Sequence, residues 1–399
     1  MPETPQKQRV LFICPQPFFE WRGSPIRVKF NALALSELGY DVDLLTLPIG
    51  SDEPIENVKV IRAWNLFASK KIAIGPSLLK LWFALILLIQ GTRLVLRNRY
   101  DVLHGTEEAG FICLLLAKIR RIKCIFEKHS DSHSYNPKFF LKPVLALYGL
   151  AEKVTIKGSN TVISTGPALN EQAIEMANGS NASTIENKFY IIPDTPSSSI
   201  EASSDKIEAA RNELTVNKDQ VVITYAGSFA SYQGVDIIFD AMPEIIKKHP
   251  LALFIIIGGS KKEIEHHKNV LAEAGISEEV KFLGKVPPDT LTAYLAASDI
   301  LLAPRKSGIN SPLKILDYFK AGAAIVATNT EANRRLLNTD NAMLSEFDVN
   351  SFADSISQLI ESPDERKRLA KNAHQLYKKK YNFSVFKSQV NEAYNSTLS

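Results

Sequence analysis

Short, uninterrupted apolar runs alternate with segments of helical periodicity along the first half of the chain. The run at residues 10–14 (VLFIC) is followed by a turn-rich stretch and by a helical segment at 25–38. Further apolar runs occupy residues 42–47, 101–104, 123–127 and 161–164, with a helical segment at about 110–119. Strands that are apolar along their whole length are typical of a parallel sheet covered by helices on both faces. The pattern predicts a doubly wound α/β domain.

The same alternation starts again after residues 194–205, a segment rich in Ser and Pro with few large apolar residues. Strands are predicted at 221–227, 251–259, 280–284, 299–304 and 324–328, and helices at 235–248, 261–274, 289–297 and 311–321. We therefore predict two doubly wound domains, 1–195 and 206–380, with a linker between them. Ligands of such sheets bind beyond the carboxyl ends of the strands. The expected place for chemistry is a cleft between two facing domains.

The composition excludes several classes of protein. Of the 399 residues, 45% are hydrophobic and 23% charged, which rules out a disordered or fibrous chain. A net charge of +4 is too small to indicate nucleic-acid binding. Cys14, Cys113 and Cys124 lie in apolar runs, which indicates buried thiols in a reducing compartment. Because residues 1–9 are polar and lack the pattern of a secretory signal, we expect a cytoplasmic protein.

One apolar segment raises the question of membrane contact. Residues 78–96 are apolar nearly all round the predicted helix and are flanked by basic residues. The clean apolar stretch, 81–89, is shorter than the roughly 20 residues that a spanning helix needs. The segment is then either a helix buried against the sheet or an amphipathic helix in the headgroup layer of an anionic membrane. Basic and aromatic residues at 120–121 and 138–142 favour peripheral membrane contact.

Two loops in the first half carry candidate chemistry. Gly23, Ser24 and Pro25 predict a helix start in which Ser24 is the N-cap and Pro25 the first helical residue. Free backbone N–H groups there would suit an anion or a hydroxyl, although an ordinary helix start has the same sequence. His129 follows the strand at 123–127 and can orient a hydroxyl group, unless it is a surface loop residue. His104 occupies a similar position with less support.

The segment 303–322 (APRKSGINSPLKILDYFKAG) concentrates candidate chemistry in the second half. Ser311 and Pro312 are predicted as the N-cap and first residue of a helix, with Arg305 upstream and Lys314 in the first turn. Cations beside open N–H groups suit a diphosphate. Asp317 lies further along among apolar residues, where a carboxylate needs a partner such as ribose hydroxyls, unless it is solvated on an exposed face.

The loop after the strand at 221–227 offers weaker evidence for a phosphate site. Gly227, Ser228 and Gln233 occupy it, and glycine lets a backbone approach a pyrophosphate, but the spacing is not that of a nucleotide-binding fingerprint. An ordinary strand-to-helix turn would look the same.

Two signals for metal binding are rejected. Asp41 and Asp43 have the spacing of a DxD motif but flank a core valine at the start of a strand. His266 and His267 are adjacent on a helix and point about 100° apart, which does not suit joint ligation. We expect no metal site.

Together, these segments resemble the retaining glycosyltransferases of family 4, whose GT-B fold has two facing Rossmann-like domains. The resemblance is carried by YAGSFASYQG, FLGKVPPDTLTAYLAASDILLAPRKSG and SPLKILDYFKAGAAIVAT, and is strongest over residues 221–328. In the first half it rests on the loop at Gly23 and Ser24. Residues 381–399 are similar to the family's terminal helix, which crosses back onto the first domain.

The resemblance implies roles for the candidate residues. It assigns His129 to the transferred sugar, Asp317 to the ribose, Gly284 and Val286 to the base, and the loop of Gly227, Ser228 and Gln233 to the donor. The residues implied to line the diphosphate and the sugar are Ser311, Pro312, Leu313 and Lys314. Three positions depart from the family: Ser228 and Gln233 replace a basic pair, and Ile309 replaces a glutamate. Arg305 or Lys314 would supply part of the missing charge.

The implied activity is that of a retaining, metal-independent hexosyltransferase. It would use a nucleoside-diphosphate sugar as co-substrate, without a cofactor, and a lipid-linked or polysaccharide acceptor in cell-surface biosynthesis, in the cytoplasm or peripherally on the inner face of the membrane. A nucleotide-sugar 2-epimerase of the same fold is a weaker alternative that would use the carboxylates of Glu107, Glu108, Glu127 and Asp131. A non-catalytic GT-B scaffold that binds a sugar nucleotide or a partner transferase is the other.

Overall fold

The computed structural model describes residues 7–21, 23–51, 53–66, 68, 78–130, 142–178, 186–307 and 312–399. The chain divides into two compact units. Unit 1 comprises Met1–Asp194 and Phe383–Ser399, and unit 2 comprises Thr195–Asn382. Two parallel-sheet α/β units confirm the fold class predicted from the alternating pattern.

Unit 1 is built on a seven-stranded parallel sheet. Its strands are β1 (Arg9–Cys14), β2 (Asp41–Thr46), β3 (Val58–Arg62), β4 (Val102–Thr106), β5 (Lys123–Lys128), β6 (Thr161–Ser164) and β7 (Phe189–Ile191), in the spatial order β3-β2-β1-β4-β5-β6-β7. Its helices are α1 (Gly23–Glu37), α2 (Leu78–Arg97), α3 (Ala109–Arg120), α4 (Lys142–Gly158) and α5 (Pro167–Asn178). The order reverses beside β1, so loops after β1 and β4 leave the sheet in opposite directions.

Unit 2 contains a six-stranded parallel sheet. Its strands are β8 (Val221–Gly227), β9 (Ala252–Gly258), β10 (Val280–Gly284), β11 (Ile300–Ala303), β12 (Ala324–Thr328) and β13 (Met343–Ser345), in the order β10-β9-β8-β11-β12-β13. Its helices are α6 (Ser204–Glu213), α7 (Asp236–Lys248), α8 (Lys261–Glu273), α9 (Pro288–Ala296), α10 (Leu313–Ala321), α11 (Glu331–Arg334), α12 (Val349–Glu361) and α13 (Pro363–Leu376).

Successive strand residues of unit 2 pack into different apolar clusters. Ile255 belongs to one cluster and its neighbour Ile256 to the other, and Leu301 and Leu302 divide in the same way. Because side chains alternate between the faces of a strand, both faces of this sheet are buried. That arrangement explains why these strands are apolar without interruption.

The last helix, α14 (Phe383–Leu398), belongs to unit 1 although it follows unit 2 in the sequence. It packs on α1, β5 and β6. The side chain of Tyr394 is completely buried, and the hydroxyl groups of Thr397 and Thr161 lie 2.6 Å apart. The terminal segment is therefore part of the core of unit 1.

Several predicted boundaries agree with the structure, and two helix starts were wrong. The strands at 161–164, 221–227, 280–284 and 324–328 have the predicted bounds. Helix α1 begins at Gly23, so Ser24 lies in its first turn and does not cap it. Helix α10 begins at Leu313, with Pro312 rather than Ser311 immediately before it. Ser311 lies outside the described residues.

Two edge strands and one helix start were missed, and the sequence pattern predicted no element at α4, α5, α11, α12 or α13. Strands β3 and β13 lie at the edges of their sheets and are only partly buried, so neither has the continuous apolar run used to predict strands. Helix α6 begins at Ser204, inside the segment predicted as a linker. The three cysteines are buried and free, as the apolar runs predicted.

The length argument against a spanning helix was incomplete. Over Leu79–Arg97, α2 has 19 residues with a mean hydropathy of 1.7, which by length and composition is enough to cross a membrane. The side chains of Phe83, Ile86, Leu87 and Val95 are nevertheless at most 2% exposed and belong to the core of unit 1. One face of α2 is therefore a core face.

Candidate functional site

The carboxylate of Glu127, near the carboxyl end of β5, is the centre of a buried polar cluster in unit 1. Arg27 of α1 donates from Nε to Oε1 over 2.7 Å, and Asn31 donates from Nδ2 to Oε2 over 2.8 Å. Arg27 also donates from Nη1 to Asp194 Oδ1 over 3.0 Å. Burial by itself raises the pKa of Glu127, but the Arg27 guanidinium and the two neighbouring histidines, His129 and His104, together outweigh it and hold the pKa well below its usual range.

Two histidines approach the other side of the same carboxylate. Nε2 of His129 lies 3.1 Å from Oε2 of Glu127, and Nε2 of His104 lies 3.5 Å from it. Nδ1 of His104 is 2.8 Å from the hydroxyl of Tyr394 in α14, and its ring stacks on Phe12. His104 is therefore a core residue.

The side chain of His129 is only 4% exposed, so His129 is not a surface loop residue. Within the described part of the chain, its Nδ1 atom is buried without a hydrogen-bond partner. A buried ring nitrogen without a partner is costly, and a ligand hydroxyl could satisfy it. The Nδ1 atom of His129 is therefore open to a ligand, whereas Nδ1 of His104 is paired with the Tyr394 hydroxyl.

Glu107, the first residue after β4, holds the loop that carries His129. Its Oε1 accepts a hydrogen bond from the backbone N–H of His129 over 3.1 Å, and its Oε2 accepts one from the Ser130 hydroxyl over 3.2 Å. Burial raises the pKa of Glu107 to about 7. Burial also raises the pKa of the neighbouring Glu108. Asp131, the fourth carboxylate of the epimerase alternative, lies outside the described residues.

The ammonium group of Lys314, in the first turn of α10, is buried in unit 2. It lies 4.2 Å from the centre of the Tyr225 ring and is buried, with no hydrogen-bond partner among the residues that the structure describes. Burial, and to a lesser extent the charge of Arg305, lowers the pKa of Lys314 to about 7. A Cβ atom on Gly227 would lie 2.6 Å from this Nζ, so the ammonium lies over the end of β8.

The loops after β8 and β11 approach each other closely beside Lys314. A Cβ atom on Gly234, whose φ is +65°, would lie 2.2 Å from the carbonyl oxygen of Pro304, so this approach requires glycine. The guanidinium of Arg305 lies 5.6 Å from the centre of the Tyr232 ring, and its Nε donates to the carbonyl of Ser307 over 2.9 Å. Arg305 and Lys314 are thus brought to the carboxyl ends of two adjacent strands.

Asp317 has a partner within unit 2. Its Oδ1 accepts hydrogen bonds from the backbone N–H of Ser197 over 2.6 Å and from the Ser197 hydroxyl over 2.9 Å. Burial raises the pKa of Asp317 to about 6, with the Ser197 hydrogen bonds acting in the opposite direction. The neighbouring Lys320 donates to the carbonyl of Ser198 over 2.8 Å. The alternative of a solvated Asp317 on an exposed face is wrong, and its binding of ribose stays a prediction.

The other predicted residues fall into two groups. Ser228 and Gln233 lie in the loop beside Lys314, and within the described ranges the buried Oε1 atom of Gln233 lacks a partner. The Ser228 carbonyl accepts a hydrogen bond from the Tyr225 hydroxyl over 2.7 Å. Gly284 ends β10, two strands away from β8, and Val286 packs on the core beside it. Gly284 and Val286 therefore do not belong to the group of residues around Lys314.

The residues rejected as metal ligands have other partners. Oδ2 of Asp43 accepts hydrogen bonds from Arg9 over 3.0 Å and from the Tyr100 hydroxyl over 2.5 Å. The ring of His267 stacks on Phe239 with their centres 3.8 Å apart. Across residues 7–399, apart from those not described, no group of three or more His, Cys, Asp or Glu side chains is placed to hold a metal ion.

Sequence reasoning missed Arg27, Asn31 and Tyr225. Arg27 and Asn31 are polar residues four positions apart on the buried face of α1, so a search for polar pairs within apolar helix faces would have found them. Tyr225 lies inside an apolar strand, where nothing in the pattern distinguishes it from a core residue.

The two halves of the chain match two known protein families. Residues 206–376 match the family described as Glycosyl transferases group 1, and residues 22–187 match Glycosyltransferase Family 4. An uncharacterized glycosyltransferase of Methanocaldococcus jannaschii is 22% identical over 379 residues, which cover 92% of this chain and 93% of that protein.

Solved structures share the fold of the whole chain. Sucrose-phosphate synthase from Thermosynechococcus elongatus has a TM-score of 0.73 and 18% identity, with 98% of each chain covered. The Anabaena HepE protein in complex with UDP-glucose has a TM-score of 0.68 and 16% identity, with 97% of this chain and 99% of that chain covered. At this level of identity the likeness establishes the fold.

Proposed function

Because this chain belongs to the group 1 glycosyltransferases and is similar to their family 4, we propose that it transfers a hexose from a nucleoside-diphosphate sugar to an acceptor hydroxyl, with retention at the anomeric carbon. The observation that carries the proposal is Lys314, whose buried ammonium has no hydrogen-bond partner among the described residues. A diphosphate is the partner that fits this ammonium. The acceptor is a lipid-linked or polysaccharide hydroxyl used in cell-surface biosynthesis.

The charges of unit 2 support a diphosphate beside Lys314. Burying a cation without a counter-charge is unfavourable, which is why the pKa of Lys314 falls to about 7. A diphosphate would return the ammonium to its charged form and would also meet the guanidinium of Arg305. The two side chains thereby provide the positive charge that Ser228 and Gln233 do not.

The donor to test first is UDP-glucose. HepE binds it, and that protein shares the fold of this chain at 16% identity. Fold likeness does not carry base or sugar specificity from one chain to another, because specificity depends on the shape and polar groups of each pocket. GDP and ADP sugars are therefore included in every assay below.

The proposed reaction needs no covalent enzyme intermediate. The bond between the anomeric carbon and the phosphate oxygen breaks while a bond to the acceptor oxygen forms on the same face of the sugar. The acceptor proton moves to the leaving phosphate oxygen, and Lys314 and Arg305 stabilise the negative charge on the diphosphate. We assign His129 to hydrogen bonding with a substrate hydroxyl through its Nδ1 atom, with Glu127 fixing the orientation of the ring. No step of this proposal uses a metal ion.

Hydrolysis of the donor tests the proposal without a known acceptor. The purified protein is incubated with UDP-, GDP- and ADP-glucose, and release of the nucleoside diphosphate is measured together with the anomer of the released sugar. We expect slow release from one donor with the α-anomer formed first from an α-linked donor, loss of release in Lys314→Met, and normal release in Lys262→Met, an exposed lysine of the same unit. Release of the β-anomer would contradict retention.

The same assay separates the two alternatives. A scaffold would bind a nucleotide, which a rise in the melting temperature of the protein detects, but it would release no nucleoside diphosphate from any donor. An epimerase would convert the donor into an isomeric sugar nucleotide, which proton NMR detects. Binding without turnover is the more serious competitor, because Ser228 and Gln233 replace basic residues of the family.

We also propose that the protein acts on the cytoplasmic side of a membrane as a peripheral protein. The support is α2, which has the length and hydropathy of a membrane-contacting helix but buries one face in unit 1. Fractionation of cells tests the location: extraction of the protein from membranes by high salt would support peripheral attachment, and a requirement for detergent would contradict it.

A further inference from the structure

The outward side of α2 carries a row of exposed apolar side chains. Trp82, Leu85, Ile89 and Leu96 are 37–63% exposed and recur every three to four residues, apart from one longer step. The inward side of the same helix holds Phe83, Ile86, Leu87 and Val95, which are buried. The helix is thus apolar on both sides, and the core accounts for only one of them.

The two neighbouring helices repeat this arrangement. On α3, Phe111, Leu115 and Ile119 are 40–66% exposed at intervals of four residues. On α4, Leu147, Leu150 and Val154 are 40–64% exposed at intervals of three and four. Since α3 packs against both α2 and α4, the three rows belong to one layer. We call these ten side chains the outer apolar face of unit 1.

A soluble surface seldom gathers so many large apolar side chains. Single exposed apolar residues are common, whereas a contiguous patch marks a place that contacts another surface. The sequence pattern identified only the α2 part of this face. The α3 and α4 rows became visible only when the packing order of the helices was known.

The charges around the outer apolar face are almost all positive. Helices α2 and α3 contain basic residues at 80, 93, 97, 118 and 120 and no acidic residue. The exposed lysines Lys153 and Lys157 extend the series on α4. The one acidic residue of α4, Glu152, is ion-paired with Lys128, so its charge is compensated inside unit 1. Since the whole chain carries a net charge of only +4, positive charge is concentrated here.

We propose that the outer apolar face binds the surface of an anionic lipid bilayer. The ten apolar side chains would enter the boundary between headgroups and acyl chains, and the flanking cations would lie on the anionic headgroups. A second copy of the chain fits less well, because it would bring two positively charged surfaces together. The proposal rests on the proposed function for its biological purpose, since it gives the peripheral transferase its attachment surface, but binding itself requires no turnover.

Vesicle sedimentation with the full-length protein tests the proposal. The vesicles consist of phosphatidylcholine alone or of equal parts phosphatidylcholine and phosphatidylglycerol. We expect binding to the mixed vesicles, little binding to phosphatidylcholine alone, and release by raised salt. Absence of binding to the mixed vesicles would overturn the proposal, and equal binding to both would overturn its electrostatic part.

Matched variants locate the binding surface. Replacing Leu85, Leu115 and Leu150 together by Glu should lower the bound fraction at least about tenfold, since it places three negative charges in the apolar rows. The control replaces Ile200, Leu251 and Val270 of unit 2, which are 42–54% exposed, by Glu and should bind as the unchanged protein does. Circular dichroism and the melting temperature establish that both variants fold. Equal binding by the two variants would overturn the assignment of this face.

Further variants separate this proposal from the transferase proposal. Lys314→Met should lose donor hydrolysis and bind vesicles normally, whereas the triple Leu variant should hydrolyse the donor normally in vesicle-free solution. Reversing the charges of Arg97, Arg120 and Lys157 to Glu should also weaken vesicle binding, and reversing Lys261, Lys262 and Lys268 in unit 2 should not. If the unchanged protein is a dimer that the triple Leu variant converts to a monomer, the face is an interface between copies and the lipid proposal is wrong.

Discussion

Glu127 in unit 1 and Lys314 in unit 2 are both ionisable groups buried at the carboxyl ends of strands, but their surroundings differ. Glu127 is held by Arg27, Asn31 and two histidines, and its pKa lies well below the usual range. Among the described residues, the neighbours of the Lys314 ammonium are the ring of Tyr225 and the charge of Arg305, and its pKa is lowered to about 7. Removing one partner from a buried charge pair destabilises the fold, because it leaves the other charge uncompensated, whereas a buried charge that the chain leaves unpaired is available for a ligand.

The largest effect is expected from removing the charge of Glu127. In Glu127→Gln, Arg27 stays buried and loses its main counter-charge, so the free energy of unfolding should fall by about 3 kcal/mol in urea titrations at pH 7. The pKa of Glu127 is lower in the folded than in the unfolded state, so the advantage of the unchanged protein is complete above the ordinary pKa of 4.5 and shrinks as the pH falls below it.

The control for this prediction is Glu331→Gln. Glu331 forms an exposed ion pair with Arg335 at a spacing of four residues, so its loss should cost less than about 0.5 kcal/mol. If both variants lose the same small amount, the cluster around Glu127 does not hold unit 1 together.

In contrast to Glu127→Gln, Lys314→Met should weaken the binding of the nucleoside diphosphate and leave the stability of the fold intact. The free energy of unfolding should stay the same or rise slightly, because an unpaired buried ammonium is removed. Affinity for the nucleoside diphosphate that binds should fall by roughly ten- to a hundredfold, corresponding to about 1.5–3 kcal/mol for a hydrogen bond to a charged group. Calorimetric titration measures it, with Lys262→Met as the control. A destabilised Lys314→Met that binds normally would remove the contrast with Glu127.

The pH dependence of nucleotide binding sharpens the comparison further. With a pKa of about 7 in the free protein, Lys314 is mostly neutral at pH 8, and a bound diphosphate should restore its proton. Binding should therefore take up close to one proton at pH 8 and weaken by up to about tenfold per pH unit above 7. Titrations in two buffers with different ionisation enthalpies measure the uptake. The same uptake in Lys314→Met would assign the proton to another group.

The smallest effect is expected for Asp317→Asn, because an amide oxygen can still accept the two hydrogen bonds from Ser197. The pKa of Asp317 is raised from 3.8 to about 6, so its protonated form stabilises the fold at low pH and this contribution is lost as the pH rises through 6. The melting temperature of Asp317→Asn relative to the unchanged protein should therefore rise between pH 4 and pH 7. If Asp317 also binds ribose, nucleotide affinity should fall about fivefold, which corresponds to about 1 kcal/mol for one hydrogen bond.

The sequence predicted those features that depend on local patterns. Uninterrupted apolar runs located the central strands β8 and β12, because strands buried on both faces leave no polar positions. The edge strand β3 has no such run and was missed. Ser24 was wrongly predicted as an N-cap because Pro25 is acceptable anywhere in the first turn, so the motif does not fix where the helix begins.

The candidate site was only partly predictable for a related reason. Arg305, Lys314 and His129 were named as candidates because their residue types suit the chemistry and they lie in a loop after a strand or in the first turn of a helix. His129 differs from His104 because Nδ1 of His104 is paired with the hydroxyl of Tyr394, which is 290 residues away in the sequence. Partners at such separations have no local signature, and the same holds for the Ser197 that binds Asp317.

The most direct test of the account is an experimental structure of the protein with the nucleoside diphosphate that raises its melting temperature. The account predicts that Nζ of Lys314 lies within about 3.2 Å of a phosphate oxygen, with the Arg305 guanidinium beside the same diphosphate. A diphosphate bound away from both side chains, with Lys314 still over the ring of Tyr225 and unpaired, would contradict it.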